Sequence, residues 1–395
     1  MSDLYSRNVR VLLAMKFFKW FLLYMPIIVL YYLENGLSVT QVMLLQSVHS
    51  ITVMVLEIPS GYFSDRLGRR PTLILGMLLN LIGVILLALG YNFATFSLGV
   101  IAFGIGNSFL SGTDSAMLYE SLVLSNRSNE YLKYEGRVYS ISTFSEAIAA
   151  LFGGYMAFHL GYHSTVHYQI ILAAIGLLLA FWLVETPPPE DDGFSEWERI
   201  KHIINRVFRK DKLLRAAVFL SAFFGAATLN MAWFAQPYLE FRAFEDDEIG
   251  LFWAFFNLTV AFFSFTSHRF AQFIPRYLMI SGCILGIFVG YLGLSLGNTL
   301  IGLSTMWIIY AVRGLLTPVM KDLINQLAPP ETRATVFSIR GFIIRSLFGL
   351  FAPFLGWYTD TFSLLEAFMV AAFSFLGFLS LTGIAYYIIQ KKNQQ

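Results

Sequence analysis

The sequence predicts an all-α membrane protein with about twelve transmembrane helices in two six-helix, pseudo-symmetric halves. Apolar residues make up 57% of the 395 residues and charged residues only 13%, whereas soluble domains carry about 25% charged residues. This apolar excess continues along the whole chain, which excludes a soluble domain with a single anchor. Because about 20 apolar residues span a bilayer, the apolar runs divide into twelve helices. They lie near residues 9–33, 38–63, 71–90, 93–121, 135–160, 165–184, 212–239, 247–270, 275–296, 299–325, 332–358 and 363–390.

A polar linker at residues 185–211 separates the first six helices from the last six. Three consecutive prolines at 187–189 end the sixth helix, since proline breaks a helix interior. In the rest of the linker, apolar side chains recur near helical spacing with basic residues between them. This pattern predicts either an amphipathic helix on the inner leaflet or a solvated connector. We therefore expect six-helix bundles at residues 1–184 and 212–395, a plan known from transporters built of repeats.

Lysine and arginine residues concentrate in alternate loops, which predicts the orientation. The positive-inside rule places these loops, and with them both termini, in the cytoplasm. The opposite loops are mainly acidic, with Arg242 as their only basic residue. We expect an integral protein of the plasma membrane, in bacteria the inner membrane. The single cysteine, Cys283, excludes an intrachain disulfide and argues against a cysteine-based metal site. No cofactor is indicated.

The polar turn at residues 61–70 reads Gly-Tyr-Phe-Ser-Asp-Arg-Leu-Gly-Arg-Arg and joins the second and third helices. This turn resembles the signature loop of the major facilitator superfamily, and residues 329–335 resemble the family's turn between helices ten and eleven. Two departures argue against a typical drug/proton antiporter. Val100 stands near the place of an arginine often found in helix four, and residues 149–154 lack the proline-containing motif of helix five.

The resemblance implies a cytoplasmic gate, a central cavity and transport by alternating access. In the family, charges like those around the signature loop close the cytoplasmic side. The candidate gating residues are Gly61, Asp65, Arg66, Gly68, Arg69 and Glu120. The alternative is that these residues only determine topology. Helices one, four, seven and ten line the cavity in this family.

Charged residues inside the apolar runs are the strongest indicators of function, because a charge in hydrocarbon costs several kcal/mol unless it is paired or hydrated. We expect Glu146 and Asp114 to couple substrate movement to protons. The candidate substrate-binding residues are Arg313, Lys19, Asn230, Gln236, Trp307 and Tyr310. In the structural alternative, Glu146 pairs with Lys16 or Lys19. Arg340 is interpreted as a structural charge near the inner side.

These observations predict a secondary transporter that moves a small organic solute, anionic or zwitterionic, coupled to protons. One alternative is a multidrug/proton exporter of lipophilic cations, and another is a receptor or scaffold on the same fold. No phosphate-binding Gly-x-x-x-x-Gly-Lys motif is present, which argues against direct use of ATP. No catalytic set of residues converges, so an enzyme is not expected. The expected partners are a small-molecule substrate, protons and the lipid bilayer; we expect no nucleic acid and a monomer.

Overall fold

The computed structural model describes residues 2–187, 211–328 and 333–394. These residues form fourteen α-helices and no strand. The predicted linker helix and the family-like turn lie largely outside the described residues. The helices are α1 (Ser2–Trp20), α2 (Ile28–Glu34), α3 (Val39–Leu67), α4 (Arg69–Ala88), α5 (Phe93–Leu110), α6 (Thr113–Leu124), α7 (Tyr131–Leu160), α8 (Tyr162–Phe181), α9 (Lys212–Phe241), α10 (Asp246–Phe273), α11 (Arg276–Ser295), α12 (Thr299–Leu327), α13 (Arg333–Thr361) and α14 (Leu364–Gln394).

Twelve segments of the described chain are long and apolar enough to cross a membrane, which confirms the predicted all-α fold with twelve spans. Two of these spans are each built from two helices. The first, Tyr5–Glu34, contains α1, a 3-10 turn and α2, and the fourth, Phe93–Leu124, contains α5 and α6. The sequence had predicted continuous helices at both places.

Backbone chemistry explains both interruptions. Pro26 lies in the 3-10 turn Met25–Ile27, and proline lacks the N–H that a continuing helix needs. In the fourth span, Gly112 has φ +78° between α5 and α6, a conformation that glycine adopts without steric cost. Breaks of this kind expose backbone groups at membrane depth, which is tolerated where protein or a cavity surrounds them.

The chain divides into two compact units, of which unit 1 contains the described residues 2–37, 48–187 and 244–254. One of its cores includes buried side chains of α1, α4 and α6, such as Leu12, Leu73 and Met117. Helices α4 and α5 approach closely at Gly76 and Gly106, where a Cβ on Gly106 would lie 2.7 Å from the Gly76 carbonyl oxygen. Small residues at such crossings let transmembrane helices pack tightly.

Unit 2 contains the described residues 38–47, 211–243, 255–328 and 333–394. One of its cores joins α9, α12 and α13 through buried residues that include Val218, Ile324 and Val336. The absence of a side chain at Gly225 lets α13 approach α9, because a Cβ there would lie 2.7 Å from Ile344 Cδ1. These three helices also hold the charged pocket described below.

Candidate functional site

The signature loop takes part in a charge network within unit 1. Arg69 Nε donates a hydrogen bond to Glu120 Oε1 at 3.1 Å, and Arg69 Nη1 donates to Ser64 Oγ at 2.8 Å. The two charged side chains are only 11% and 21% exposed, so solvent screens their attraction weakly. Thr186 donates its hydroxyl to the second Glu120 oxygen at 2.5 Å. The structure thus brings together Arg69 and Glu120, which are 51 residues apart in the chain.

Glu185, just after α8, caps the N-terminus of α4. Its carboxylate accepts the backbone N–H of Arg69 at 2.8 Å and that of Arg70 at 3.1 Å. The first N–H groups of a helix have no partner within the helix, and a carboxylate there also meets the positive end of the helix dipole. Gly68 precedes the helix with φ +99°, and a Cβ at Gly68 would lie 2.8 Å from Glu185 Oε2. The end of the sixth span is therefore bound directly to the signature loop.

The remaining candidate gating residues are Gly61, Asp65 and Arg66. A Cβ at Gly61 would meet no described atom within 4 Å, so close packing gives no reason for glycine at that position. Arg66 is exposed in the last turn of α3. The Asp65 side chain lies outside the described part of the chain. The gating role of these residues stays a prediction.

A buried asparagine supports the same region and was missed by the sequence analysis. Asn8 of α1 is completely buried. Its Nδ2 donates to Ser121 Oγ at 3.1 Å and to the Val184 carbonyl at 2.8 Å, and its Oδ1 accepts the Val184 N–H at 2.8 Å. One side chain therefore joins α1, α6 and the chain after α8. A polar residue next to an apolar run was the only signal for it in the sequence.

A second group of charges lies deeper in unit 1. Lys16 of α1 forms an ion pair with Asp114 of α6, with side chains 18% and 10% exposed. Asp114 is in the first turn of α6, where the helix dipole stabilises an anion, and its Oδ1 accepts the Ser115 N–H at 2.7 Å. The break at Gly112 creates this helix N-terminus inside a membrane span. The broken fourth span thus explains how a carboxylate is held there.

Lys19 lies one turn after Lys16 on the same face of α1. Its ammonium group lies near enough to Lys16 and Asp114 for electrostatic interaction with both, and the ion pair with Asp114 is formed by Lys16. Ser145 of α7 donates to the Phe17 carbonyl at 2.6 Å, which brings α7 against this part of α1. The neighbouring Glu146 is half-buried. Asp114 is therefore a partner of Lys16, and the pairing of Glu146 with a lysine stays a prediction.

Unit 2 contains a pocket between α9, α12 and α13, with a volume of about 250 Å³ counted to its open mouth. Arg313, midway along the 29-residue α12, lines this pocket, as does Arg340 of α13. Both arginines are half-buried. Arg340 Nε donates to Ser221 Oγ of α9 at 2.6 Å. The pocket therefore contains two guanidinium groups, one of which the sequence analysis had treated as a structural charge.

The other predicted substrate-binding residues of unit 2 do not line this pocket. Asn230 and Gln236 are completely buried, and Asn230 Nδ2 donates to the Ala226 carbonyl at 2.9 Å. Tyr310 stacks on Phe256 with ring centroids 4.5 Å apart. Trp307 is 38% exposed. Their role in binding substrate stays a prediction.

The comparison with known sequences decides the family. The sequence model of the Major Facilitator Superfamily matches residues 11–353. The chain belongs to the major facilitator superfamily. It is 23% identical to the MFS-type transporter YxaM of Bacillus subtilis (strain 168) over 355 residues, which are 86% of this chain and 84% of YxaM. It is 30% identical to the inner membrane transport protein YajR of Escherichia coli (strain K12) over 137 residues, which are 35% of this chain and 29% of YajR.

Solved structures of transporters show the same fold. The nucleoside transporter NupG matches with a TM-score of 0.79 at 12% identity, covering 98% of this chain and 99% of NupG. A D-xylose–proton symporter matches with a TM-score of 0.74 at 16% identity, covering 98% of this chain and 97% of the symporter. Together with the twelve apolar helices, the family establishes an integral, multi-pass membrane protein of a transporter family.

Proposed function

We propose that the protein is a secondary active transporter that carries a small organic anion or zwitterion by alternating access, coupled to proton movement. The charged group formed by Lys16, Lys19 and Asp114 carries this proposal. A charge at the bilayer centre costs roughly 2.5–3.5 kcal/mol on insertion scales, and these three lie within membrane-spanning segments. A charged group inside a membrane span is therefore a candidate functional site. By analogy with its bacterial relatives, the protein works in the plasma (inner) membrane.

The arrangement of these charges supports proton coupling. With Asp114 ionised, the carboxylate offsets the charge of Lys16 and leaves Lys19 as the excess cation. A proton on Asp114 would break the ion pair and leave two cations together, which Coulomb repulsion disfavours. Arrival or departure of a negatively charged substrate would shift this balance. Glu146 is a second candidate for the coupling group.

The pocket between α9, α12 and α13 supports an anionic or zwitterionic substrate. Arg313 lines it, and none of the described residues that line it is acidic. A binding site for lipophilic cations would instead need carboxylates, so this pocket favours the anion carrier over the multidrug exporter. Arginine binds carboxylates through two parallel N–H groups.

Flux in proteoliposomes tests the proposed function. The purified protein is reconstituted with a pH-sensitive dye inside the vesicles, and organic anions, zwitterions and lipophilic cations are added in turn. We expect an anion or zwitterion to change the internal pH in a saturable manner. Asp114→Asn should keep solute binding and lose the coupled pH change.

Glu130→Gln is the matched acid-to-amide control. Glu130 lies outside the spans, where it forms a partly exposed pair with Arg127 at 3.0 Å. The hydrogen bond from Arg127 lowers the pKa of Glu130, so its carboxylate is charged throughout the neutral range. This variant should behave like the wild type. Proton-dependent movement of cations alone would favour the multidrug exporter, and no flux of any solute would favour the scaffold.

A further inference from the structure

We propose that the pocket between α9, α12 and α13 is a site for an oxyanion group that carries two negative charges, held by Arg313 and Arg340 together. The inference rests on the proposed transport function and goes further, because it assigns a second arginine and a charge to the substrate. Phosphate monoesters and dicarboxylates are the two classes of compound that would supply these two negative charges.

The two guanidinium groups leave most of their donors available. An arginine has five N–H donors, and among the described residues Arg340 uses one of them, on Ser221 Oγ at 2.6 Å. The guanidinium group of Arg313 has no hydrogen-bond or ion-pair partner in residues 2–187, 211–328 and 333–394. Both side chains are only half-buried, so a ligand can reach the donors that remain. An anion with several oxygens would satisfy them at both arginines.

The hydroxyl groups of the pocket divide into two kinds. Thr228 and Thr317 donate to carbonyls of their own helices, at 3.1 Å to Phe224 and 2.6 Å to Arg313. Ser221 instead accepts from Arg340, so its own hydrogen remains free to donate. Ser221 can therefore position Arg340 and contribute a further donor to the same anion.

Charge balance selects a dianion over a monoanion. The described residues that line the pocket carry two positive charges and no acidic group, and Lys321 lies close enough to Arg340 for repulsion between them. One negative charge would offset only half of the charge of the two arginines. Attraction between charges is strong in a partly buried pocket, where the effective dielectric constant is far below that of water. A group with two negative charges matches the site.

Part of the pocket lining is apolar. Phe224, Val312, Leu316 and Met320 form the apolar part of the lining. We therefore expect the charged end of the molecule to bind between the arginines and a short organic part to contact these apolar side chains.

The experiment measures equilibrium binding to the purified full-length protein at pH 7.5, by calorimetry and by thermal shift. Two pairs of probes differ by one charge: methyl phosphate against dimethyl phosphate, and succinate against monomethyl succinate. A phosphate monoester is mainly a dianion at this pH, because its second pKa is about 6. The phosphate pair and the carboxylate pair distinguish the two possible sources of the dianion.

We expect at least one dianion to bind about ten- to a hundredfold more tightly than its monoanionic partner, the effect of losing one charge-assisted contact. Arg313→Gln and Arg340→Gln should each abolish this preference. Arg313→Lys and Arg340→Lys should keep part of it, since lysine retains the charge without the planar fork. Arg345→Gln is the matched control, because Arg345 is also half-buried on α13 but does not line the pocket.

Monodisperse elution and an unchanged melting temperature without ligand confirm that each variant folds. Equal binding of both members of each pair by the wild type would overturn the inference, as would a preference that survives both glutamine variants. Absence of anion binding in a protein that transports another solute would overturn this inference alone. Dianion binding without any flux would instead reject the proposed transport function and leave the site standing.

Discussion

Replacing Asp114 by asparagine tests how far unit 1 depends on its buried charge pair. The substitution keeps the shape of the side chain, and the amide oxygen can still accept the Ser115 N–H that Asp114 Oδ1 accepts at 2.7 Å. What it removes is the negative charge opposite Lys16. The variant then holds Lys16 and Lys19 near each other without the carboxylate that pairs with Lys16 and attracts Lys19.

The expected loss of stability follows from the burial of the ion pair. Breaking a fully buried ion pair costs about 3–5 kcal/mol, and the side-chain exposures of 18% for Lys16 and 10% for Asp114 reduce this figure to about 2–4 kcal/mol. At roughly 2–4 °C per kcal/mol for a bundle of this size, the melting temperature should fall by about 5–15 °C. Lys16→Met removes the cation and keeps an apolar stem of similar length.

A double-mutant cycle separates the pair from its surroundings. Thermal unfolding is measured for the wild type, Asp114→Asn, Lys16→Met and the double variant in one detergent. We expect the double variant to lose about 1–3 kcal/mol less unfolding free energy than the two single variants lose in sum. Additive losses, or an Asp114→Asn protein as stable as the wild type, would refute the reasoning that this pair stabilises the bundle.

Three further predictions concern the signature loop and its support. Gly68→Ala should destabilise the protein by about 1–2 kcal/mol or more, because φ is +99° there and the new Cβ would meet Glu185. Gly61→Ala is the control and should be neutral or slightly stabilising in thermal unfolding. Glu185→Ala should speed hydrogen exchange at the first amides of α4 by about five- to tenfold, the effect of losing a helix cap; unchanged exchange would show that the cap is dispensable. Asn8→Ala should lower stability by about 2–4 kcal/mol, because it leaves both backbone groups of Val184 without their side-chain partner, and a loss below about 0.5 kcal/mol would contradict this.

Hydropathy was sufficient to predict the twelve-span helical fold. All twelve predicted spans correspond to candidate spans of the structure, because the length of an apolar run is a property of the local sequence. The interruptions in the first and fourth spans were not predicted, although Pro26 and Gly112 mark them. A single glycine or proline in an apolar run is tolerated in many transmembrane helices, so neither residue alone indicates a break.

The candidate site was only partly predictable, because its contacts join residues far apart in the chain. The family resemblance selected Arg69 and Glu120 for one network, which the structure brings within hydrogen-bonding distance. It did not select Glu185, because an acid at the start of a polar linker looks like part of that linker. The contact of Arg340 with Ser221 spans 119 residues, and helical periodicity gives no information about which helices are neighbours.

The central claim is that charged groups inside the membrane-spanning helices move an anionic solute at the expense of a proton gradient. Uptake of a radiolabelled dianion into proteoliposomes, with and without a pH gradient, tests it most directly. The account predicts saturable uptake that the pH gradient drives above equilibrium and that Arg313→Gln abolishes. Uptake equal to that of protein-free vesicles for every anion tested, by a protein that is folded and correctly inserted, would contradict it.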